Sequence, residues 1–252
     1  MEKQIVTFKD LGRMDYKTAW ELQERLLQQN ARIKSGVQSS ESGTPDLQLP
    51  TPDSTTHYLF FVEHPLVYTL GKSGKIENVI LSEEERTKEG IEFYHTNRGG
   101  DITFHGPGQI VGYPILDLEK FYTDIGRYLR ELEEVIILTL NDYGIAAGRS
   151  TGETGVWIDP LHKGKERKIC AMGIRCSRWI TMHGFALNVN TPLHYFGGII
   201  PCGIADKKVT SMKEELGREV NVDEVKERLK RNFEKVFNVT ITESQLVSES
   251  IV

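Results

Sequence analysis

Apolar residues recur every three or four positions in three stretches of the chain, and this spacing is typical of amphipathic helices. The stretches are 15–35, 123–144 and 222–237. The second is predicted to be the longest helix, ended by Gly144. Two shorter helices are predicted where a serine is followed three residues later by a glutamate, because this pair caps a helix N-terminus. These capping pairs are Ser82 with Glu85 and Ser211 with Glu214.

Segments dense in aromatic and β-branched residues, bounded by turn-forming residues, predict the strands. The segments are 58–62, 66–70, 91–94, 102–104, 109–116, 155–158, 168–174 and 179–189. The first two are either two strands or one strand bent at His64 and Pro65. Strands and helices do not alternate regularly, which favours an α+β fold, a mixed sheet packed on helices, over a doubly wound fold. The polar stretch 35–56 is interpreted as a loop.

The bulk composition limits the possible functions. A chain of 252 residues with 38% hydrophobic residues can form one core, so we expect 1–252 to be a single domain. A signal peptide and a long apolar run are both absent from the sequence, which predicts a cytoplasmic protein that does not enter a membrane. The net charge of −5 argues against nucleic-acid binding. With no evident apolar surface stripe, a monomer is expected.

The densest unusual segment is 98–109, which holds four glycines in twelve residues. Glycine lets the backbone approach a ligand closely, but Gly106 and Gly108 around a proline could equally form a tight turn. The segment matches neither phosphate-binding pattern, GxxxxGK[ST] or GxGxxG. The sequence therefore gives no support for ATP binding.

The three cysteines have different surroundings. Cys202 lies between Pro201 and Gly203, where an irregular, exposed backbone suits a nucleophile, although a lone cysteine more often serves packing. Cys170 and Cys176 lie in strand-like apolar segments. Because the cysteine and histidine spacings of zinc sites are missing, no metal is expected. The odd number of cysteines, without an export signal, predicts free thiols.

Three other side chains are candidates for chemistry, each with a structural alternative. Lys168 opens an apolar strand and either projects toward a site or begins the strand in solvent. His105 and His183 both adjoin glycine, and an isolated histidine is more often a structural residue than a catalyst. None of the three decides the function alone.

Taken together, these segments resemble the octanoyltransferases of lipoate biosynthesis, over about 60–216. The shared motifs are 63–65 (EHP), 68–71 (YTLG), 98–109 (RGGDITFHGPGQ) with 111–114 (VGYP), 168–175 (KICAMGIR), 183–188 (HGFALN) and 201–203 (PCG). The 98–113 block is specific, because related biotin and lipoate ligases differ there. Two stretches, 35–56 and 161–167, are longer than the usual connections of the family.

The resemblance implies the fold of biotin and lipoate-protein ligase catalytic domains and an acyltransferase that needs no cofactor. It implies octanoyl-acyl carrier protein as donor. The implied acceptors are lipoyl domains of 2-oxoacid dehydrogenase complexes and the glycine cleavage H protein. It implies Cys202 as the acyl-thioester nucleophile and Lys168 as the lysine that tunes it. The implied walls of the acyl site are Arg98, Gly99, Gly100, Asp101, Ile102, Thr103, Phe104, His105, Ala171, Met172, Gly173, Gly184, Phe185 and Ala186.

Two alternatives to a transferase remain at this point. One is an ATP-dependent lipoate or biotin-protein ligase, which would need a nucleotide-binding loop and no cysteine nucleophile. The other is a catalytically silent protein that binds lipoyl domains, which would have no reason to keep Cys202 and Lys168 together. The sequence does not set the acyl-chain length or the preferred lipoyl domain.

Overall fold

The computed structural model describes residues 3–36, 54–200 and 208–243. Its strands are β1 Gln4–Arg13, β2 His57–Glu63, β3 Val67–Leu70, β4 Glu92–His95, β5 Ile102–His105, β6 Gln109–Ile115, β7 Ala147–Gly148, β8 Val156–Ile158, β9 Arg167–Ser177, β10 Ile180–Asn188, β11 Lys208–Val209 and β12 Val239–Glu243. Its α-helices are α1 Tyr16–Lys34, α2 Glu83–Lys88, α3 Ile125–Asn141, α4 Met212–Leu216 and α5 Val222–Phe237.

The larger of two sheets is mixed and has the strand order β12-β1-β2-β6-β10-β9-β8-β7, with β11 paired to β9. Strand β1 is parallel to both of its neighbours, β12 and β2. Strands β2, β6, β10, β9, β8 and β7 are successively antiparallel. The smaller sheet, in the order β4-β3-β5, is likewise mixed.

Helices cover both faces of the larger sheet, because alternate residues of its strands are apolar on each face. On one face, α3 and α5 pack on a core that includes Leu59, Ile110 and Leu187. On the other face, α1 packs on the intervening residues, such as Phe60 and Val111. A third core lies within the small sheet. No helix in the described part of the chain is both long and apolar enough to cross a membrane.

Most predicted elements are present. The residues 58–62 and 66–70 form two strands, and these strands belong to different sheets. The last helix has the predicted bounds, and the capping box of Ser82 and Glu85 is formed. The longest α-helix is α1 rather than α3, which ends at Asn141, three residues before Gly144. The predicted 35–56 loop lies mostly outside the described residues.

Four strands, β1, β7, β11 and β12, were not predicted. Strands β7 and β11 have two residues each, too few to show a pattern. Strand β1 contains a run of β-branched and aromatic residues, 5–8 (IVTF), that the sequence analysis did not single out; in the structure only Val6 and Phe8 of this strand are buried. Strand β12 has one buried residue, Val239. Strands β1 and β12 have β-branched residues of their own, and pairing with distant segments sets their places in the sheet.

Candidate active site

A cavity of about 100 Å³ lies between the two sheets. Its walls come from β5 of the small sheet, from β6, β9 and β10 of the larger sheet, and from the loop that precedes β5. Tyr16, at the start of α1, also lines it. The cavity is on the α1 face of the larger sheet, where Val111, Ala171 and Ala186 lie side by side in register. Their small side chains leave an apolar floor.

Most of the predicted acyl-site residues line this one cavity. They are Arg98, Gly100, Asp101, Ile102, Thr103, His105, Ala171, Met172, Gly173, Gly184, Phe185 and Ala186. Gly99 and Phe104 are not among the lining residues. Strand alternation, which turns Thr103 and His105 toward the cavity, turns Phe104 into the core of the small sheet, where it is fully buried. Phe104 thus lies behind the wall of this cavity rather than in it, and its contact with an acyl group stays a prediction.

The loop 98–101 is held against β9 by close backbone contacts. The Gly99 N–H donates to the Ile174 carbonyl at 2.8 Å. A Cβ atom on Gly173 would lie 2.7 Å from the Gly99 carbonyl oxygen, so only glycine allows this approach. Gly100 has φ of +87°, a conformation that side chains disfavour. Gly99 and Gly100 thus shape the loop, and Gly100 also lines the cavity.

A β-bulge directs Lys168 to the cavity. On β9, Cys170 and Met172 belong to the core on the α3 and α5 face, so simple alternation would place Lys168 on that face too. However, Val156 pairs with Cys170 while the next residue, Trp157, pairs with Lys168, which leaves Ile169 as the extra residue. Ile169 packs into the core and Lys168 lines the cavity.

The ammonium of Lys168 lies 4.6 Å from the centre of the Trp157 ring, a cation–π distance. Its backbone carbonyl accepts a hydrogen bond from the Thr210 N–H at 2.9 Å. Lys168 is therefore held on both its side chain and its backbone at one end of the cavity.

Cys202 lies outside the described residues, so its predicted proximity to Lys168 stays a prediction. The described chain stops at Ile200, whose N–H donates to Asn78, and resumes at Lys208, which pairs with Arg167. The other two cysteines are not cavity residues. Cys170 is fully buried and Cys176 is half-buried, and burial raises the pKa of both thiols.

Replacing Cys170 by serine is expected to lower stability without removing activity. The change places a hydroxyl in the core, which costs about 1 to 3 kcal/mol if the hydroxyl finds no partner. Urea denaturation measures the loss, and acyl transfer by the folded fraction is compared with wild type. Cys176→Ser, at a half-buried position, is the milder control. A stable Cys170→Ser protein without transfer activity would show that this thiol, not Cys202, does the chemistry.

One end of the cavity is lined by polar aromatic side chains that the sequence analysis did not identify. Tyr16 stacks on the His105 ring with 5.9 Å between centroids, and Tyr113 lies beside them. The Nδ1–H of His64 donates to the Met14 carbonyl, so its Nε2 accepts from the Tyr113 hydroxyl at 2.7 Å. A tyrosine within a helix or strand is usually interpreted as a core residue. No sequence signal distinguishes Tyr16 and Tyr113, which line the cavity, from tyrosines of the core.

A second polar chain fixes the tautomer of His105. The Gln109 amide NH₂ donates to the carbonyl of Phe104 and to the Asn188 side chain, so its oxygen faces His105 and accepts from Nδ1–H at 2.8 Å. His105 Nε2 then accepts from the Thr69 hydroxyl, to which Arg98 donates. Both nitrogens of His105 are thus engaged.

Burial keeps the histidines of this region neutral. It lowers the pKa of His64 to about 4 and of His183 to about 3, and the pKa of His105 lies well below its ordinary value. The charge of Arg98 further lowers the pKa of His105 and His183. Outside the cavity, burial lowers the pKa of His57 to about 4.

Stability is expected to fall as the pH decreases from about 6.5 toward 4. The unfolded chain binds protons at these four histidines below the ordinary pKa of 6.5, whereas the folded chain does not until the lower pKa is reached. Each histidine lowers the free energy of unfolding by at most about 1.4 kcal/mol per pH unit. Over two pH units the four histidines together therefore approach the whole free energy of unfolding of a typical protein. Urea midpoints at pH 7.5, 6 and 5 measure this loss.

His57→Phe is the control for that titration, because it removes one of the buried imidazoles away from the cavity and should make the slope shallower. Equal unfolding free energies at pH 7.5 and pH 5 would contradict the burial of neutral histidines.

Comparison with known proteins places this arrangement in a family. The lipoyl protein ligase A/B catalytic-domain model matches residues 15–234. The octanoyltransferase of Flavobacterium johnsoniae is 56% identical over 96% of this chain and 100% of that protein. The octanoyltransferase of Christiangramia forsetii is 53% identical over 94% of this chain and 97% of that protein.

Solved structures share the fold at low identity. A bi-partite lipoate protein ligase from Thermoplasma acidophilum has a TM-score of 0.65 and 17% identity, covering 99% of this chain and 89% of that one. A lipoate-protein ligase A bound with ATP has a TM-score of 0.64 and 16% identity, covering 99% and 91%. The predicted fold class, a lipoate-ligase-like mixed sheet backed by helices, is confirmed. The chain belongs to the lipoyl protein ligase A/B catalytic-domain family and, within it, to the octanoyltransferases, which are acyltransferases.

Proposed function

We propose that this protein transfers an octanoyl group from octanoyl-acyl carrier protein to a lysine of a lipoyl domain, through a thioester on Cys202. The acceptors are the lipoyl domains of 2-oxoacid dehydrogenase complexes and the glycine cleavage H protein, and the reaction takes place in the cytoplasm. The names of the relatives support the octanoyl group. A lipoyl-domain acceptor is supported by one structural neighbour, a lipoate protein ligase that is described together with its E2 lipoyl domain.

The observation that carries this proposal is the position of Lys168 at one end of a cavity with an apolar floor. Moving a medium-length acyl chain out of water is favourable by about 0.8 kcal/mol for each methylene that is buried. Val111, Ala171 and Ala186 form the apolar surface on which such a chain can lie. The ammonium at the end of this floor favours a nearby thiolate and stabilises negative charge that develops on an acyl carbonyl.

Two transfers follow, and both balance without ATP. The Cys202 thiolate attacks the donor thioester carbon; its C–S bond forms, the donor C–S bond breaks, and the carrier leaves as a thiolate that takes up a proton from the Lys168 ammonium, which leaves the lysine neutral. The amine of the acceptor lysine then attacks the same carbon, so that a C–N bond forms and the Cys202 C–S bond breaks. The amine must lose a proton, and Lys168 in its neutral form is the base that takes it. An amide replaces a thioester, which makes the second transfer downhill.

Intact mass spectrometry after mixing the protein with octanoyl-acyl carrier protein tests this function. A gain of one octanoyl group without ATP, lost again when a lipoyl domain is added, supports the transferase. An ATP-dependent ligase would acylate a lipoyl domain only with free acid and ATP, and a silent binding protein would gain no mass. Either of those results would overturn the proposal.

A further inference from the structure

The cavity has two chemically different ends along β10. At one end, the Asn188 side chain donates to the Thr210 carbonyl, and the Thr210 N–H donates to Lys168, so Asn188 marks the lysine end. His183 lies five residues earlier on the same strand, about 16 Å away at the usual rise per residue. An acyl chain whose thioester is at the lysine end extends along Ala186 and Gly184 toward His183, which also lines the cavity.

The hydrogen bonds of His183 fix which of its nitrogens carries the proton. Asn97 uses its NH₂ group to donate to Glu24 at 2.6 Å, so its carbonyl oxygen faces His183. That oxygen lies 2.8 Å from His183 Nε2, which must therefore be the N–H. Nδ1 is left as a bare acceptor.

This acceptor is buried. His183 is only 1% exposed, and no group within the described ranges donates to its Nδ1. A buried acceptor that stays unsatisfied is costly, so the site favours a bound donor. His183 also has φ of +58°, unusual for a residue other than glycine, and such backbone strain is common at ligand sites.

A buried donor lies beside it. The ring of Trp20 on α1 is 6.3 Å from the His183 ring, and its Nε1–H has no acceptor among the residues that the structure describes. One hydroxyl or water molecule can donate to Nδ1 and accept from an indole N–H. A saturated hydrocarbon chain can do neither.

We propose that His183, with Trp20 beside it, is the specificity determinant that ends the acyl site: a polar stop that rejects hydrocarbon chains long enough to reach it. This inference rests on the proposed function and adds a limit on chain length. An octanoyl chain lies on the apolar floor, whereas a longer chain brings methylenes against Nδ1 and excludes any donor from it. A chain with a terminal hydroxyl satisfies the same atom and is accepted.

The test measures kcat/KM for transfer to a lipoyl domain from octanoyl-, dodecanoyl- and 12-hydroxydodecanoyl-acyl carrier protein. In wild type we expect the lowest kcat/KM for the dodecanoyl donor. The terminal hydroxyl of the 12-hydroxydodecanoyl donor should raise kcat/KM about tenfold over dodecanoyl, because leaving one buried polar atom unsatisfied usually costs about this much. His183→Phe keeps an aromatic ring and removes the acceptor. It should raise the dodecanoyl to octanoyl ratio about tenfold and abolish the preference for the hydroxyl.

Two further variants keep the test decisive. His183→Asn suits a positive φ and withdraws the polar group from the chain, so it should also raise the ratio if the phenylalanine variant does not fold. His57→Phe removes a buried histidine that does not line the cavity. The dodecanoyl to octanoyl ratio of this variant should equal that of wild type. If wild type transfers octanoyl but folded His183 variants keep the wild-type ratio, the polar stop is wrong and the transferase stands. If wild type transfers no octanoyl, the proposed function itself fails.

Discussion

Cys202→Ala is expected to abolish the acyl-enzyme and to lower octanoyl transfer at least about a thousandfold, because the reaction loses its nucleophile. Fold and lipoyl-domain binding should remain, since alanine removes one sulfur atom and adds no bulk. Intact mass after mixing with octanoyl-acyl carrier protein measures the acyl-enzyme. The transfer rate to a lipoyl domain measures the second step.

Cys170→Ala and Cys176→Ala are matched controls, because each removes one thiol on β9. Both should still gain the octanoyl mass. Acylation that persists in Cys202→Ala and disappears in Cys176→Ala would assign the nucleophile to the other thiol and end the proposed mechanism.

Lys168→Met should lower transfer by about 10² to 10⁴-fold, the range for losing a positioned acid or base. Methionine has nearly the same length and can keep a sulfur contact with the Trp157 ring, so the fold should survive. The rate of iodoacetamide alkylation of Cys202 as a function of pH gives a second readout. Without the nearby ammonium, the pKa of this thiol should rise.

Lys168→Arg separates the two roles of the lysine. An arginine keeps the positive charge that favours the thiolate but does not act as a base near neutral pH. Acylation of Cys202 should therefore persist while transfer to the lipoyl domain is lost. If Lys168→Met transfers at the wild-type rate, the lysine serves only to hold Trp157 and β8.

The elements that sequence predicts well are those whose signals are local. Helix α5 has Asn221 as its cap, Val225, Leu229 and Phe233 buried on one stripe, and Asn238 in a left-handed conformation after its end. Each of these signals is readable within a few residues. Strand β1 has a short β-branched and aromatic run, residues 5–8, but this run does not indicate its two parallel neighbours, which come from distant parts of the chain.

The site is only partly predictable for the same reason. The glycine-rich loop and the motifs on β9 and β10 indicate most of the cavity walls. Lys168 is different: alternation along β9 would have placed it in the core, and only the bulge at Ile169 turns it toward the cavity. The bare Nδ1 of His183 depends on Glu24 and Asn97, which no sequence spacing connects to it.

The position of β1 between β12 and β2 constrains the order in which the chain can fold. Gln4 to Phe8 pair with residues 239–243, so this edge of the sheet joins segments from opposite ends of the described chain. During synthesis the first strand emerges long before its partner exists, and until then one of its edges has an unpaired row of backbone groups. Such distant pairing slows folding. The edge of β1 that β12 covers can close only after residues 239–243 have been made, and premature termination before Val239 should leave a protein prone to aggregate through β1.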